Sequence, residues 1–135
     1  MYFAAIAIIV FTAAAFTLFA SGEDESAVTE FLEGYGWEIG KKPVDEADII
    51  IPDPFDLVYE NYNELQIRAG LDLSPYKGEK CKRYTYIVTN YPADVGEDVR
   101  ANVICHNGKP IGGDIMTVSM RGFMHSLLYL DSQNQ

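Results

Sequence analysis

Asp114 is the sharpest candidate for chemistry in the chain, because it stands directly behind Gly112-Gly113 in a run with strand-like alternation. Glycine inside a strand marks a bulge or a place where another backbone comes close. If the hairpin at Asn107-Gly108 is regular, Val103 opposes Gly112 and Ala101 opposes Asp114. Asp114 then shares a face with Val99, Ala101, Val103 and Met116, where a carboxylate must be paired, neutral or at the sheet margin. One reading is an acid that contacts a ligand. The others are a bulge that turns Asp114 outward, or a pair with Arg100 or Arg121.

Aromatic residues form the second feature. The chain has nine tyrosines, and Tyr59, Tyr62, Tyr84, Tyr86 and Tyr91 fall within its polar portion. A tyrosine packs an apolar ring and keeps a polar tip wet, which suits a recognition surface and suits a half-buried sheet equally. Trp37, beside Tyr35, has the same two readings: stacking on a sugar or peptide, or packing in the core. Asp114, Tyr84, Tyr86 and Trp37 are therefore the candidate ligand or partner surface.

The remaining patterns fail on spacing. Ser119-Met120-Arg121-Gly122 is not a G-x-S-x-G elbow, and no H-E-x-x-H occurs. His106 and His125 cannot build a three-histidine metal site, and Asp45, Glu46 and Asp48 lack EF-hand spacing. No pattern calls for a cofactor, and no catalytic residue is assigned. Carboxylates are nevertheless abundant. The alternative to a binding domain is therefore a cell-wall-directed hydrolase with acid/base chemistry on Asp114 and a second carboxylate, set about 5–10 Å apart.

Cys81 and Cys105 form no C-x-x-C pair. Cys81 opens one predicted strand and Cys105 closes the next. In an antiparallel hairpin centred near Asp94 they lie opposite or one step apart. Opposite, they could bridge; one step apart, they point to different faces and stay free thiols.

The elements that must position these residues read as α+β. Asp24 to Tyr35 is an amphipathic helix, with Ala27, Val28, Phe31, Leu32 and Tyr35 at helical spacing. Pro43 to Pro52 reads as a loop entering a short strand, Ile49-Ile50-Ile51. A second helix then starts at Asp53-Pro54 with a stripe of Phe55, Val58, Tyr59, Tyr62, Leu65 and Ala69, and ends at Gly70. Beyond it the period changes to two. Strands are predicted over 80–91, 98–106 and 109–118, with Asn107-Gly108 as a two-residue hairpin turn. Residues 121–130 read as a short helix or closing segment. The expected architecture is two helices on one face of a small antiparallel sheet of three to four strands, with water on the other.

Charge is uneven along the chain. Residues 21–64 hold 13 acidic and 2 basic side chains, a balance of −11, and residues 65–135 hold 7 acidic and 8 basic, a balance of +1; together they make the net −10. An acidic surface repels phosphates, so nucleic acid is excluded as a partner. The only local basic cluster, Lys77, Lys80, Lys82 and Arg83, reads as a solvated face.

Residues 1–20 carry no charge at all. A helix rises about 1.5 Å per residue, so twenty residues match a hydrocarbon core of roughly 30 Å. The segment reads as an uncleaved N-terminal transmembrane anchor. It also fits a signal peptide cut at Ala20-Ser21-Gly22, or a buried apolar helix. Residues 21–135 then form one extracytoplasmic domain. It would be held at the cell membrane by a single span, or secreted after cleavage near Gly22. Its expected partners are the membrane, through residues 1–20, and a protein, peptide or cell-wall component.

Several longer motifs are spaced along the domain. They are Phe55-x-x-Val58-Tyr59-x-x-Tyr62-Asn63-x-Leu65-Gln66, Asp72-Leu73-Ser74-Pro75-Tyr76 and Lys82-Arg83-Tyr84-Thr85-Tyr86. Asn90-Tyr91-Pro92, Gly108-x-x-Ile111-Gly112-Gly113-Asp114-Ile115 and Gly122-Phe123-Met124 complete the set. With them the chain, over about residues 35–126, resembles an uncharacterised Firmicutes family, the domain of unknown function 4830. The resemblance implies a Gram-positive, extracytoplasmic setting. It brings no established activity, so no functional residue is carried over.

Overall fold

The computed structural model describes residues 24–129. Helix α1 occupies 24–34, followed by strand β1 (Asp45–Ile50), helix α2 (Leu57–Arg68) and a 3-10 turn (Ser74–Tyr76). Strands β2 (Lys80–Ile87), β3 (Arg100–His106), β4 (Lys109–Met116) and β5 (Met124–His125) complete an α+β fold. All five strands form one antiparallel sheet in chain order, β1-β2-β3-β4-β5. The expected anchor, residues 1–20, lies outside the described residues. Among the described residues no helix is long and apolar enough to cross a membrane.

The sheet has five strands instead of three to four. β1 takes in Asp45, Glu46 and Asp48, which the sequence suggests are loop. It is an edge strand whose charged side chains stay in water while its backbone pairs with Lys80–Thr85, a common way to blunt an edge. β5 is only two residues long, Met124 and His125 on Met116 and Ile115, too short for any periodicity to show.

The helices lie on opposite faces of the sheet. α1 places Val28 and Leu32, both fully buried, against Tyr84, Tyr86, Ala101, Val103, Cys105 and Ile115. On the other face Ile51, Leu73, Cys81, Ile104 and Ile111 form a smaller cluster, with Tyr59 and Tyr62 of α2 packed on it. Two-residue alternation along β2 and β3 supplies both faces.

Helix α2 starts later than its sequence suggests. Asp56, not Asp53, is the N-cap, and its carboxylate accepts the Tyr59 N–H at 2.8 Å. Its buried residues are Asn63 and Gln66, while Leu57 and Val58 are 72% and 75% exposed. The expected apolar stripe is thus only partly covered.

The turn at Asn107-Gly108 is as expected, with both residues at positive φ, 50° and 78°. One residue further the register departs. Cys105 pairs with Pro110 but Ile104 pairs with Gly112, so Ile111 is an extra residue in β4. The bulge slips every later pair by one: Val103 faces Gly113 and Asn102 faces Asp114. Asp114 therefore leaves the face of Val99, Ala101 and Val103 for the opposite one. It does not turn out to water, since it is 2% exposed.

Cys105 pairs with Lys82, one step from Cys81, so the two cysteines point to different faces and both are free thiols. Burial pushes the Cys105 thiol up to about 12, which leaves it a small inert hydrophobe.

Candidate functional site

The bulge sets Thr85, Asn102 and Asp114 side by side across three strands. Their side chains form a relay. The Thr85 hydroxyl donates to Asn102 Oδ1 at 2.6 Å, and Asn102 Nδ2 donates to Asp114 Oδ1 at 3.0 Å. From α2 the Tyr62 hydroxyl donates to Asp114 Oδ2 at 2.6 Å. Both carboxylate oxygens thus have a donor, as burial requires. Burial pushes the Asp114 carboxyl above its ordinary range, opposed by the Tyr62 and Asn102 hydrogen bonds and by the charge of Arg83. Burial and the neighbouring carboxylate drive the Tyr62 phenol well above its ordinary value, so it keeps its proton and remains the donor.

Gly112 lets α2 come this close, and Gly113 lets β3 and β4 do so. A Cβ on Gly112 would meet Gln66 Oε1 at 2.9 Å and Leu73 at 3.0 Å. A Cβ on Gly113 would collide with the Asn102 carbonyl oxygen. With no side chain in the way, Gln66 Oε1 accepts the Gly113 N–H at 2.7 Å. Asn63, one turn earlier in α2, accepts the Leu73 N–H at 2.7 Å and donates to Asp72 at 2.9 Å. Helix α2 is thereby held to the sheet and to the 71–76 loop largely by amide hydrogen bonds rather than by an apolar seam.

Beside this polar fastening the helix and sheet diverge into a groove of ≈ 730 Å³. Val58, Tyr59, Asn61, Tyr62 and Leu65 of α2 form one wall. Ile49 and Ile50 of β1, Ile104 of β3, Met116 of β4 and Met124 of β5 form the apolar part of the other. Arg83, Asn102 and Asp114 give it polarity. The lip is exposed apolar surface, with Ile50 63% and Met124 41% exposed.

The four sequence candidates separate. Asp114 lines the groove. Tyr84, Tyr86 and Trp37 are buried on the α1 face, at 3%, 1% and 3% exposure, so they form core and no recognition surface. Tyr84 donates to Asp24 at 3.1 Å, and Trp37 Nε1 donates to the Leu127 carbonyl at 2.7 Å. Burial raises both tyrosine hydroxyls, that of Tyr86 to about 12. Neither Arg100 nor Arg121 pairs with Asp114; Tyr62 and Asn102 do.

Sequence reasoning missed Tyr62, Asn102, Thr85 and Arg83 as one group. The available signal was the Gly112-Gly113 close approach together with a one-residue slip, which puts Asn102 opposite Asp114. Arg83, read as part of a solvated basic cluster, instead borders the groove and pairs with Asp45 at 3.1 Å.

Chemically, the carboxyl at the groove floor is enclosed and capped by two donors. The residues lining the groove include one carboxylate, where the acid/base hydrolysis of a glycosidic bond uses two. Among the described residues no group of three or more His, Cys, Asp or Glu could hold a metal ion. The arrangement suits holding a ligand against apolar walls. The family described as Domain of unknown function (DUF4830) matches residues 31–115. No curated protein and no solved structure matches the chain.

Proposed function

The chain belongs to the DUF4830 family, whose description assigns no activity, and from the groove we propose that it is a non-catalytic binding or accessory domain. Residues 1–20 would hold it at the membrane, with the α+β domain outside the cytoplasm. The groove between α2 and the sheet would receive a largely apolar segment of a protein, peptide or cell-wall component. One observation carries this reading: Ile50, Val58, Met116 and Met124 surround an open cavity in the size range of ligand sites. The cell-wall hydrolase is the weaker reading, because the groove supplies Asp114 without a second acid.

Two experiments test the proposal. Protease added to intact protoplasts should digest the domain; survival until lysis would count against the placement outside the cytoplasm. For the groove, the same extract is passed over the immobilised full chain and over its Ile50→Asp variant. A molecule kept by the first and lost from the second supports the groove. Equal retention by both would move binding elsewhere.

A further inference from the structure

The charged side chains bordering the groove are Asp114 and Arg83, and they stand in opposite situations. Asp114 is enclosed, and both its oxygens already accept hydrogen bonds from Tyr62 and Asn102. The Arg83 side chain is 38% exposed and has an ion pair with Asp45, whose side chain is 54% exposed. Such solvent-exposed pairs contribute little. Arg83 Nε is buried and has no hydrogen-bond partner among the described residues, a cost that an acceptor would relieve. A guanidinium has five donors in a planar fork that matches a carboxylate. The spare hydrogen-bonding capacity of the groove is therefore that of a cationic donor, and its walls are aliphatic. Met116 and Met124 are unbranched and adapt to flexible chains.

We propose, resting on the binding reading above, that the groove binds an aliphatic carboxylate, a monomeric fatty-acid-like amphiphile. Its head lies on Arg83 and its alkyl chain runs between Val58 and Leu65 of α2 and Ile50 and Met124 of the sheet. Turning Arg83 from Asp45 to the ligand exchanges a weak surface pair for a charge-assisted, two-point hydrogen bond. A cationic head would meet Arg83 with like charge and find Asp114 enclosed. A neutral alcohol would take the chain contacts and lose the ionic ones. The distant part of the net charge of −10 opposes an anion weakly, because salt screens it beyond about 8–10 Å; close to the head stand Asp45, which the ligand displaces from Arg83, and Asp114, whose oxygens are capped by Tyr62 and Asn102.

Calorimetric titration of the full chain with monomeric dodecanoate, dodecyltrimethylammonium and dodecanol tests the head without any substitution. Dodecanoate should bind at least about tenfold more tightly than the other two. Arg83→Gln should weaken dodecanoate about tenfold, while Arg83→Lys, which keeps the charge and loses the two-point fork, should weaken it by less. Ile50→Asp, at the exposed lip, should abolish binding. Ile67→Asp, on an exposed residue of α2 away from the groove, should leave it unchanged. Equal or tighter binding of the cationic amphiphile, or unchanged dodecanoate affinity in Arg83→Gln, overturns the proposal and leaves the groove reading standing. Equal effects of Ile50→Asp and Ile67→Asp, or no binding of any of the three compounds, also overturn it. The capture comparison with Ile50→Asp then decides the groove separately.

Discussion

On the α1 face of the sheet, twelve buried residues, nearly all apolar, close over one another. On the α2 face five of the described residues form the buried apolar cluster, with partly buried side chains such as Tyr59 and Tyr62 packed on it; beside them Asn63, Gln66, Thr85, Asn102 and Asp114 are each buried and hydrogen-bonded. The same five strands serve both faces. Apolar area contributes roughly 25 cal/mol per Å² buried, whereas an exchanged hydrogen bond nets only about 0.5–1.5 kcal/mol. Stability is thus concentrated under α1. Under α2 the polar fastening fixes position with less apolar closure, and part of the helix's apolar side is left bordering an open groove.

The largest expected effect tests the first half of that contrast. Leu32 of α1 is fully buried in the larger cluster. Leu32→Ala should cost about 2–5 kcal/mol by urea unfolding, through lost transfer free energy and the cavity left behind. A loss under about 1 kcal/mol would mean that α1 is not integral to the core.

Gly113→Ala probes the strand pairing that holds the polar face together. Its Cβ would collide with the Asn102 carbonyl oxygen, so β3 and β4 must part where Asn102 meets Asp114. Forcing atoms into a filled site costs about 1–3 kcal/mol. Ala at Gly34, where a Cβ meets nothing within 4 Å, is the matched control and should not destabilise. Equal effects at the two positions would show that close approach is not why glycine stands at 113.

How far these faces were legible in the sequence differs in the same way. Val28 and Leu32 declare the α1 face because their burial is apolar and periodic, and Asn107-Gly108 declares its hairpin because both residues need positive φ. The α2 face hides because its buried residues are Asn63 and Gln66, types that a periodicity argument assigns to solvent. The site itself turns on Ile111. One extra residue in β4 moves Asp114 to the other face, and nothing in the alternation of the strand marks where the slip occurs. Gly112-Gly113 gave the only hint, and it was compatible with a bulge and with close approach; the structure contains both. Of β1 only the end at Ile49-Ile50 was legible; Asp45–Asp48 read as loop because an acidic edge strand has one wet side and no apolar alternation there.

A pH measurement sharpens the account of Asp114. Burial holds its folded-state carboxyl above the ordinary value, so the native protein binds this proton more readily than the unfolded chain. The stability associated with it is fully present below about pH 4, the unfolded carboxyl's range, and is lost as pH rises through the folded value. Asp114→Asn keeps a side-chain oxygen for Tyr62 and removes the titration. The stability of the wild type relative to this variant should therefore fall between pH 4 and pH 7.5. Asp72, whose carboxyl is held low chiefly by its Asn63 hydrogen bond, acts in the opposite direction but is common to both proteins and cancels in the difference. A difference that rises with pH would show that Arg83 and the two donors outweigh burial, and that the groove floor is an ordinary anion.

The smallest expected effect is the most pointed test of the contrast. Val58 is an apolar residue on α2, yet it is 75% exposed and borders the groove. If the groove is open in solution, Val58→Ser removes little buried area, and stability should stay within about 0.5 kcal/mol of wild type. The hydroxyl also leaves helix propensity nearly unchanged, since serine and valine rank together. Set beside Leu32→Ala, the pair would show one helix whose apolar side chains fold the protein and one where such a side chain is spared from folding. A loss above about 1 kcal/mol would mean that Val58 is packed in solution. The groove would then be closed in the resting protein, and any ligand would first have to separate α2 from the sheet against the Gln66 and Asn63 hydrogen bonds that hold it there.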